Sequence, residues 1–426
     1  MFTRFSRLPW LPCILGGALA ARLGAAVLVQ QMVEQPPRRL CLIAGDAEGY
    51  WKLAGHLARG EDFAIYDPPR YALRMPGFPL LLAGGMRVFG DSVICLRVLL
   101  ACVGTAACWL VYLLGRELVD HITGLIACFL AAISPAFVGF SVLLLSETLF
   151  ALTLLASLIA LAKLAKADDD AAGVTPNRTA AAWALVAGLL SGAATLVRPT
   201  WLLVAPLWGL LYLMRARNRQ RRLCQVALMI AGLSLALAPW TIRNARVTGH
   251  FVPTTLWMGP SLYDGLSSQA TGVSNMKFIE TDGWYRQPNV SEYEADQHYR
   301  QAALAFAKDH PGQAFVLGIK KLWRFCNPFP NAEQFGSWTI WLGVGLFELP
   351  VLLLAMLGFW KVRHSLFCQA RCLLPQFAHA TFSFMHSFIW WGLAHSPHRA
   401  CFPHADCRGC PATMTCCTED HVYEAL

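Results

Sequence analysis

Apolar runs long enough to cross a lipid bilayer recur from Leu8 to the neighbourhood of Trp390, and no soluble-sized block separates them. In lipid every backbone N–H and C=O must find its partner within the protein, so only helices and closed barrels span. Runs approaching ~20 residues select helices. The chain is 56% hydrophobic and 14% charged, against about 25% charged in ordinary soluble domains. These features predict an all-α polytopic membrane protein. The net charge of +9 does not point to nucleic acid, because the basic residues gather in short loops between apolar runs. That clustering is how membrane helices set their orientation, with Lys and Arg kept on the cytoplasmic side. Of the fifteen cysteines, Cys13, Cys95, Cys102, Cys108 and Cys128 lie inside apolar runs, where a thiol acts as a small hydrophobe and implies no disulfide framework.

The basic start and apolar run of MFTRFSRLPWLPCILGGALAARLGAAVLVQQ raise a cleaved signal peptide, with Ala18-Leu19-Ala20 as the processing site. An uncleaved first span over about 8–29 is preferred, since the run continues well past that site; Arg22 inside it must face protein or the interface. Residues 76–89, PGFPLLLAGGMRVF, are too short to span. If they did, Arg215, Arg217, Arg219, Arg221 and Arg222 would face outward, against the charge rule. A surface or re-entrant helix there removes the conflict and makes 31–92 a first external loop. Further spans are predicted at 93–115, 125–141, 148–166, 180–197, 201–214, 223–240, 340–360 and 373–393, about nine in all. Arg116, Lys163, Lys166, the five arginines, Lys361, Arg363 and Arg371 then fall on the cytoplasmic side. Segment 167–179, ADDDAAGVTPNRT, reads as a solvated loop.

A second large external loop covers 241–337 and holds a helical piece, EADQHYRQAALAFAKDHP, with Ala303, Phe306 and Ala307 on one face and a proline stop. Of two sequons, at Asn177 and Asn289, only the second lies outside. No short internal repeat appears, nor paired halves with matching broken helices, which counts against an inverted-repeat transporter.

Within the first loop, Asp46 follows Gly45 and opens a short amphipathic helix marked by Tyr50, Leu53, Ala54 and Leu57 and closed by Gly60. Asp46 and Glu48 suit the positive end of such a helix, which is the plain structural account of both acids. The functional account is that a surface helix holds two carboxylates where a lipid headgroup arrives. Glu147, in SVLLLSETLF, either starts a helix beside Ser146 or supplies a second external carboxylate. Arg198 sits in LVRPTW, where Pro199 breaks the helix and leaves the guanidinium at the membrane edge; snorkelling is the bland reading. Arg243 follows Pro239 and Trp240, an aromatic interface anchor, and Arg70 and Arg74 complete the external cations. Together the groups suit one chemistry. A carboxylate accepts the proton of an acceptor hydroxyl while guanidinium forks stabilise charge on a departing phosphate.

The ordered series GDAEGY, RMPGFPLLLAGGMRVFG, SETLF, LVRPTWLL and PWTIRNARVTGHFVP resembles the membrane glycosyltransferases of the C-type fold, nearest the bacterial relatives of protein O-mannosyltransferase and the lipid A aminoarabinose transferase. The resemblance covers roughly residues 8–360. It implies an enzyme that takes a sugar from a polyprenyl-phosphate carrier and inverts its anomeric centre at the outer face of the plasma membrane, or of the ER membrane in a eukaryote. By position Asp46 matches the family's first-loop acid and base, and Glu147 its second acidic position. Arg198 and Arg243 would face the carrier phosphate, with Arg70, Arg74 and Glu48 beside them. The acid-x-acid pair Asp46 and Glu48 binds a divalent metal in some relatives and not in others, so metal stays open. The acceptor is not identified.

The end of the chain, HSPHRACFPHADCRGCPATMTCCTEDHVYEAL, departs from the family pattern. Cys401, His404, Cys407, Cys410, Cys416 and Cys417 can be read as a zinc knuckle, but a clean second pair is lacking. The preferred expectation is a domain over 1–360, followed by a last span and atypical tail over 361–426 altered by truncation or a frame change. A flippase for a lipid-linked sugar and an inactive carrier-binding relative are the alternatives. A flippase wants charges near the midplane, whereas these concentrate at one face.

Overall fold

The computed structural model describes residues 9–36, 41, 45–169, 177–214, 218–287, 289–325, 327, 329 and 337–366. Among them there are no strands, only an isolated bridge between Ile65 and Arg70. Helix α1 spans Trp10–Glu34, α2 Asp46–Arg59, α3 Gly77–Phe89 and α4 Val93–Leu118. Then come α5 His121–Ile133, α6 Pro135–Phe140, α7 Glu147–Asp169 and α8 Arg178–Val197. A 3₁₀ turn at Pro199–Trp201 leads to α9 Val204–Met214, α10 Arg219–Thr248, α11 Met258–Gly265 and α12 Phe278–Thr281. The last three are α13 Glu292–Asp309, α14 Pro311–Phe325 and α15 Trp338–Leu366.

Six of the described helices, α1, α4, α7, α8, α10 and α15, are long and apolar enough to cross a bilayer; α3, α5 and the segment Pro199–Met214 are shorter apolar helices. The expected surface helix at 76–89 is thus the 13-residue α3. Four expectations need correction. The span expected over 125–141 breaks at Ser134-Pro135, where the Ser134 hydroxyl caps α6 by accepting from the Phe137 N–H at 3.3 Å. The span expected to end at residue 240 runs on to Thr248 through Pro239. Pro311, expected as a stop, starts α14 instead, since a proline at the first helical position loses no hydrogen bond. Finally the loop expected over 167–179 begins as helix, since α7 runs on to Asp169 with Asp168 buried and paired to Arg221 and Arg222. Helix α13 keeps Ala303, Phe306 and Ala307 on one face as expected, Ala303 buried and the other two half-buried. The span expected at 373–393 and the cysteine-rich tail lie outside the described residues.

Helix α7 is the centre of the bundle, with 67% of its apolar window buried against 17% for α1. It packs on α4 and α8, and α8 packs on α10 through small residues. A Cβ on Gly188 would stand 1.9 Å from the Met229 carbonyl oxygen, and one on Gly232 2.5 Å from that of Leu185. Such backbone contact is how helices gain dispersion where lipid is as apolar as their side chains. Arg22, inside α1, is fully buried and turns toward protein. It donates to the carbonyls of Ala18 (3.0 Å), Ala131 and Ala132 (both 3.4 Å), the latter pair at the end of α5.

The segment from 249 to 325 forms a separate apolar nucleus around Phe278, Tyr285 and Tyr299 that also takes in Leu53, Leu73 and Trp240. Helix α14 leaves Phe315, Val316, Ile319, Leu322 and Trp323 exposed on one stripe, the pattern of a helix lying in a membrane surface.

Candidate active site

Asp46 opens α2 at its first helical position after Gly45, whose φ of 86° favours glycine. Gly60, with φ 79°, closes the helix in the left-handed region. No side-chain cap bond forms at the start of α2; the Asp46 carboxylate turns instead to Arg74, 2.7 Å from Nη2. Tyr50, one turn along, lies beneath that guanidinium with 4.9 Å between its ring centroid and Cζ. Gly49 leaves room for the arginine, since a Cβ there would meet Arg74 Nε at 3.3 Å. Burial opposes the Arg74 charge, but Asp46 and the neighbouring Tyr50 and Tyr66 hold its guanidinium above the ordinary arginine value.

A second pair stands beside the first. Glu147 is the first residue of α7, and its Oε1 lies 2.6 Å from Nη2 of Arg198. Arg198 closes α8 in extended geometry, where Pro199 prevents the helix from continuing. Its Nε donates to Ser146 Oγ at 3.0 Å, and Tyr50 reaches the same hydroxyl at 3.5 Å. Asp46 and Glu147 lie within electrostatic range of each other. Asp46, Arg74, Tyr50, Ser146, Arg198 and Glu147 therefore form one continuous polar chain. Two buried atoms in it have no hydrogen-bond partner among the described residues, Glu147 Oε2 and Arg74 Nε. An ion pair this enclosed persists only if further polar groups meet it, and a polar substrate would supply them.

The other candidates lie around this chain, not in it. Arg70 donates to the carbonyls of Tyr285 and Val290, and its guanidinium stacks over the Tyr285 ring at 5.0 Å. Arg243 donates to the carbonyls of Tyr71 (2.5 Å) and Phe63 (3.0 Å). Both fasten the strip between α2 and α3 to the segments around it, Arg70 to the stretch before α13 and Arg243 from the end of α10. Glu292 of α13 completes the fastening by accepting from the N–H groups of Tyr71 (2.8 Å) and Ala72 (3.0 Å). Glu48 is half-buried and within electrostatic range of Cys41, whose thiol burial pushes up to about 12, with Arg97 opposing and Glu48 reinforcing the shift. Arg97, in α4, is fully buried; it donates to Val142 O at 3.0 Å and Gln30 Oε1 at 3.2 Å, holding the turn before Glu147.

Sequence reading passed over Tyr50, Ser146 and Arg97. Tyr50 carried a signal, standing four residues after Asp46 on the same helical face. Residues two apart on a helix emerge roughly 200° apart, and Asp46 turns to Arg74 while Glu48 lies within electrostatic range of Cys41. Among the described residues no three His, Cys, Asp or Glu side chains gather closely enough to hold one.

Residues 69–242 match the family model of dolichyl-phosphate-mannose-protein mannosyltransferases. No curated protein matches the chain in sequence. In fold it is similar to the Archaeoglobus fulgidus oligosaccharyltransferase. The apo form matches with a TM-score of 0.52 at 17% identity over 91% of this chain and 51% of that one. The complex with Zn and sulfate matches with a TM-score of 0.50 at 17% identity, over 89% and 48%. The chain thus spans about half the length of these structures. Its fold is that of the membrane oligosaccharyltransferase, in keeping with the C-type fold that the sequence resemblance implied, and its segment 69–242 is similar to the dolichyl-phosphate-mannose-protein mannosyltransferases.

Proposed function

We propose that this protein transfers a sugar from a polyprenyl-phosphate carrier to an acceptor hydroxyl at the outer face of the membrane, with inversion at the anomeric carbon. The observation that carries the reading is the joining of two carboxylate–guanidinium pairs, Asp46 with Arg74 and Glu147 with Arg198, through Tyr50 and Ser146. The acceptor oxygen attacks the anomeric carbon, the carbon–oxygen bond to phosphate breaks, and its electron pair leaves with the phosphate. The hydroxyl proton passes to Asp46. Arg74 and Arg198 take up the charge of the departing phosphate, and Glu147 holds Arg198 in place. A proton acceptor and preorganised cations are what such a transfer requires. The apolar surface of the bundle suits a carrier whose tail stays in the bilayer.

Incubating membranes that hold either wild type or Asp46→Asn with labelled polyprenyl-phosphate sugars tests this. Wild type should transfer label, and the variant, at equal expression, should lose on the order of 10²- to 10⁴-fold in rate. Equal transfer by both would remove Asp46 from the role of base.

A further inference from the structure

The two acid–arginine pairs stand at one end of α7; the other end carries a different site. Rising ~1.5 Å per residue, α7 puts Lys166 roughly 29 Å from Glu147, on the opposite membrane face. There the ends of three helices meet. The C-terminal turn of α4 brings Glu117, the C-terminal part of α7 brings Lys163 and Lys166, and the start of α8 brings Asn177, Thr179 and Trp183. They line a cleft of about 500 Å³. A second cleft of about 440 Å³ shares Thr179 and Trp183 and runs along α8 past Ala182 and Val186, with Arg178 at its rim. The first cleft is polar, and the second is an apolar continuation of it along a membrane helix.

We propose that these joined clefts hold an anionic phospholipid of the leaflet opposite the acid–arginine centre, with its phosphate between Lys163 and Lys166 and an acyl chain along Trp183 and Val186. Charge selects the headgroup. Among the described lining residues of the two clefts, Lys163, Lys166 and Arg178 stand against one carboxylate, that of Glu117, which lies 3.3 Å from Lys166 Nζ and stays largely enclosed. Asp168 does not offset them, because Arg221 and Arg222 hold its two oxygens at 2.9 Å each. The Trp183 ring fixes the depth, with Lys163 Nζ 4.8 Å from its centroid. An indole under a lysine places an amphipathic ring and a cation at the headgroup level, where a phosphate would meet both. At the polar end Asn177 satisfies the start of α8 by accepting from the Thr179 and Ala180 N–H groups.

The test is native mass spectrometry of the full chain in detergent, titrated with phosphatidylglycerol, phosphatidylcholine or inorganic phosphate. Wild type should retain phosphatidylglycerol at least about tenfold more tightly than phosphatidylcholine and should bind inorganic phosphate weakly, since basic groups at a headgroup level favour an anionic lipid. Lys163→Ala with Lys166→Ala should abolish the preference, and Lys163→Arg with Lys166→Arg should keep it. If the alanine pair does not fold, Arg178→Glu at the exposed rim should lower the preference in its place. Equal retention of both lipids by wild type, or an unchanged preference in the alanine pair or in Arg178→Glu, overturns the proposal. So does inorganic phosphate binding as tightly as the lipid.

Discussion

Glu147 gives one carboxylate oxygen to Arg198 at 2.6 Å and keeps the other buried, without a hydrogen-bond partner among the described residues. An ion pair so enclosed is worth less as a source of stability than its loss would cost, because removing one member strands the other charge. Arg198→Ala should therefore destabilise the protein by about 3–5 kcal/mol, and Glu147→Ala by a similar amount. The double variant Glu147→Gln with Arg198→Gln should be less destabilised than the sum of the single changes. Thermal unfolding in detergent, arranged as a double-mutant cycle, reads the coupling. Additive single and double effects would mean that the two charges do not sense each other.

Tyr50 links the pairs in two unequal ways. Its hydroxyl approaches Ser146 only to 3.5 Å, beyond the usual 2.5–3.0 Å for such a bond, whereas its ring lies squarely against Arg74 at 4.9 Å. A desolvated cation–ring contact is worth up to about 2 kcal/mol. Tyr50→Phe should then keep transfer within about threefold of wild type, and Tyr50→Leu should lower it by roughly tenfold or more. Steady-state rates on a labelled donor separate the two. A severe loss in Tyr50→Phe would shift the weight to the hydroxyl.

Chelation bears on the acid-x-acid pair. Asp46 is engaged by Arg74, and Glu48 lies within electrostatic range of Cys41. Transfer in membranes treated with EDTA is therefore expected to match untreated membranes, measured on the same donor. A loss restored by added magnesium or manganese would require α2 to rearrange when the donor binds.

Much of this arrangement was legible in the sequence where a local rule governed it. Asp46 begins α2 because glycines bracket a helical apolar period, and α3 was recognisable as too short to cross. The site also drew on residues whose charges had to share one face, which is why Arg74, Glu147 and Arg198 could be singled out before their contacts were seen. What escaped was long-range or backbone-directed. Arg70 and Arg243 reach carbonyls 215 and 172 residues away, and a carbonyl leaves no mark in a sequence. The continuation of α10 past Pro239 was hidden for another reason. Proline ends most soluble helices, but in membrane helices the surrounding protein accommodates the missing bond.

The fastening of the strip between α2 and α3 should respond to pH through Glu292. Burial raises the pKa of this carboxyl, although the Ala72 and Tyr71 N–H groups and the cations of Arg70 and Arg243 pull the other way. Burial shifts Asp296 in the same direction, against the Gly259 N–H and Arg300. With folded values above the unfolded ones, the folded protein binds protons more tightly. The resulting stability is complete below the ordinary carboxylate range and is lost as pH rises through the raised values. Melting in detergent should therefore move to higher temperature as pH is lowered from about 8 to about 5. Glu292→Gln, which keeps an oxygen for the Tyr71 and Ala72 N–H groups but cannot ionise, should flatten that slope. A variant with the wild-type slope would assign the pH response to Asp296 or to groups elsewhere, and would mean that the Glu292 carboxylate is stabilised by its donors and arginines as fully as water stabilises it in the unfolded chain.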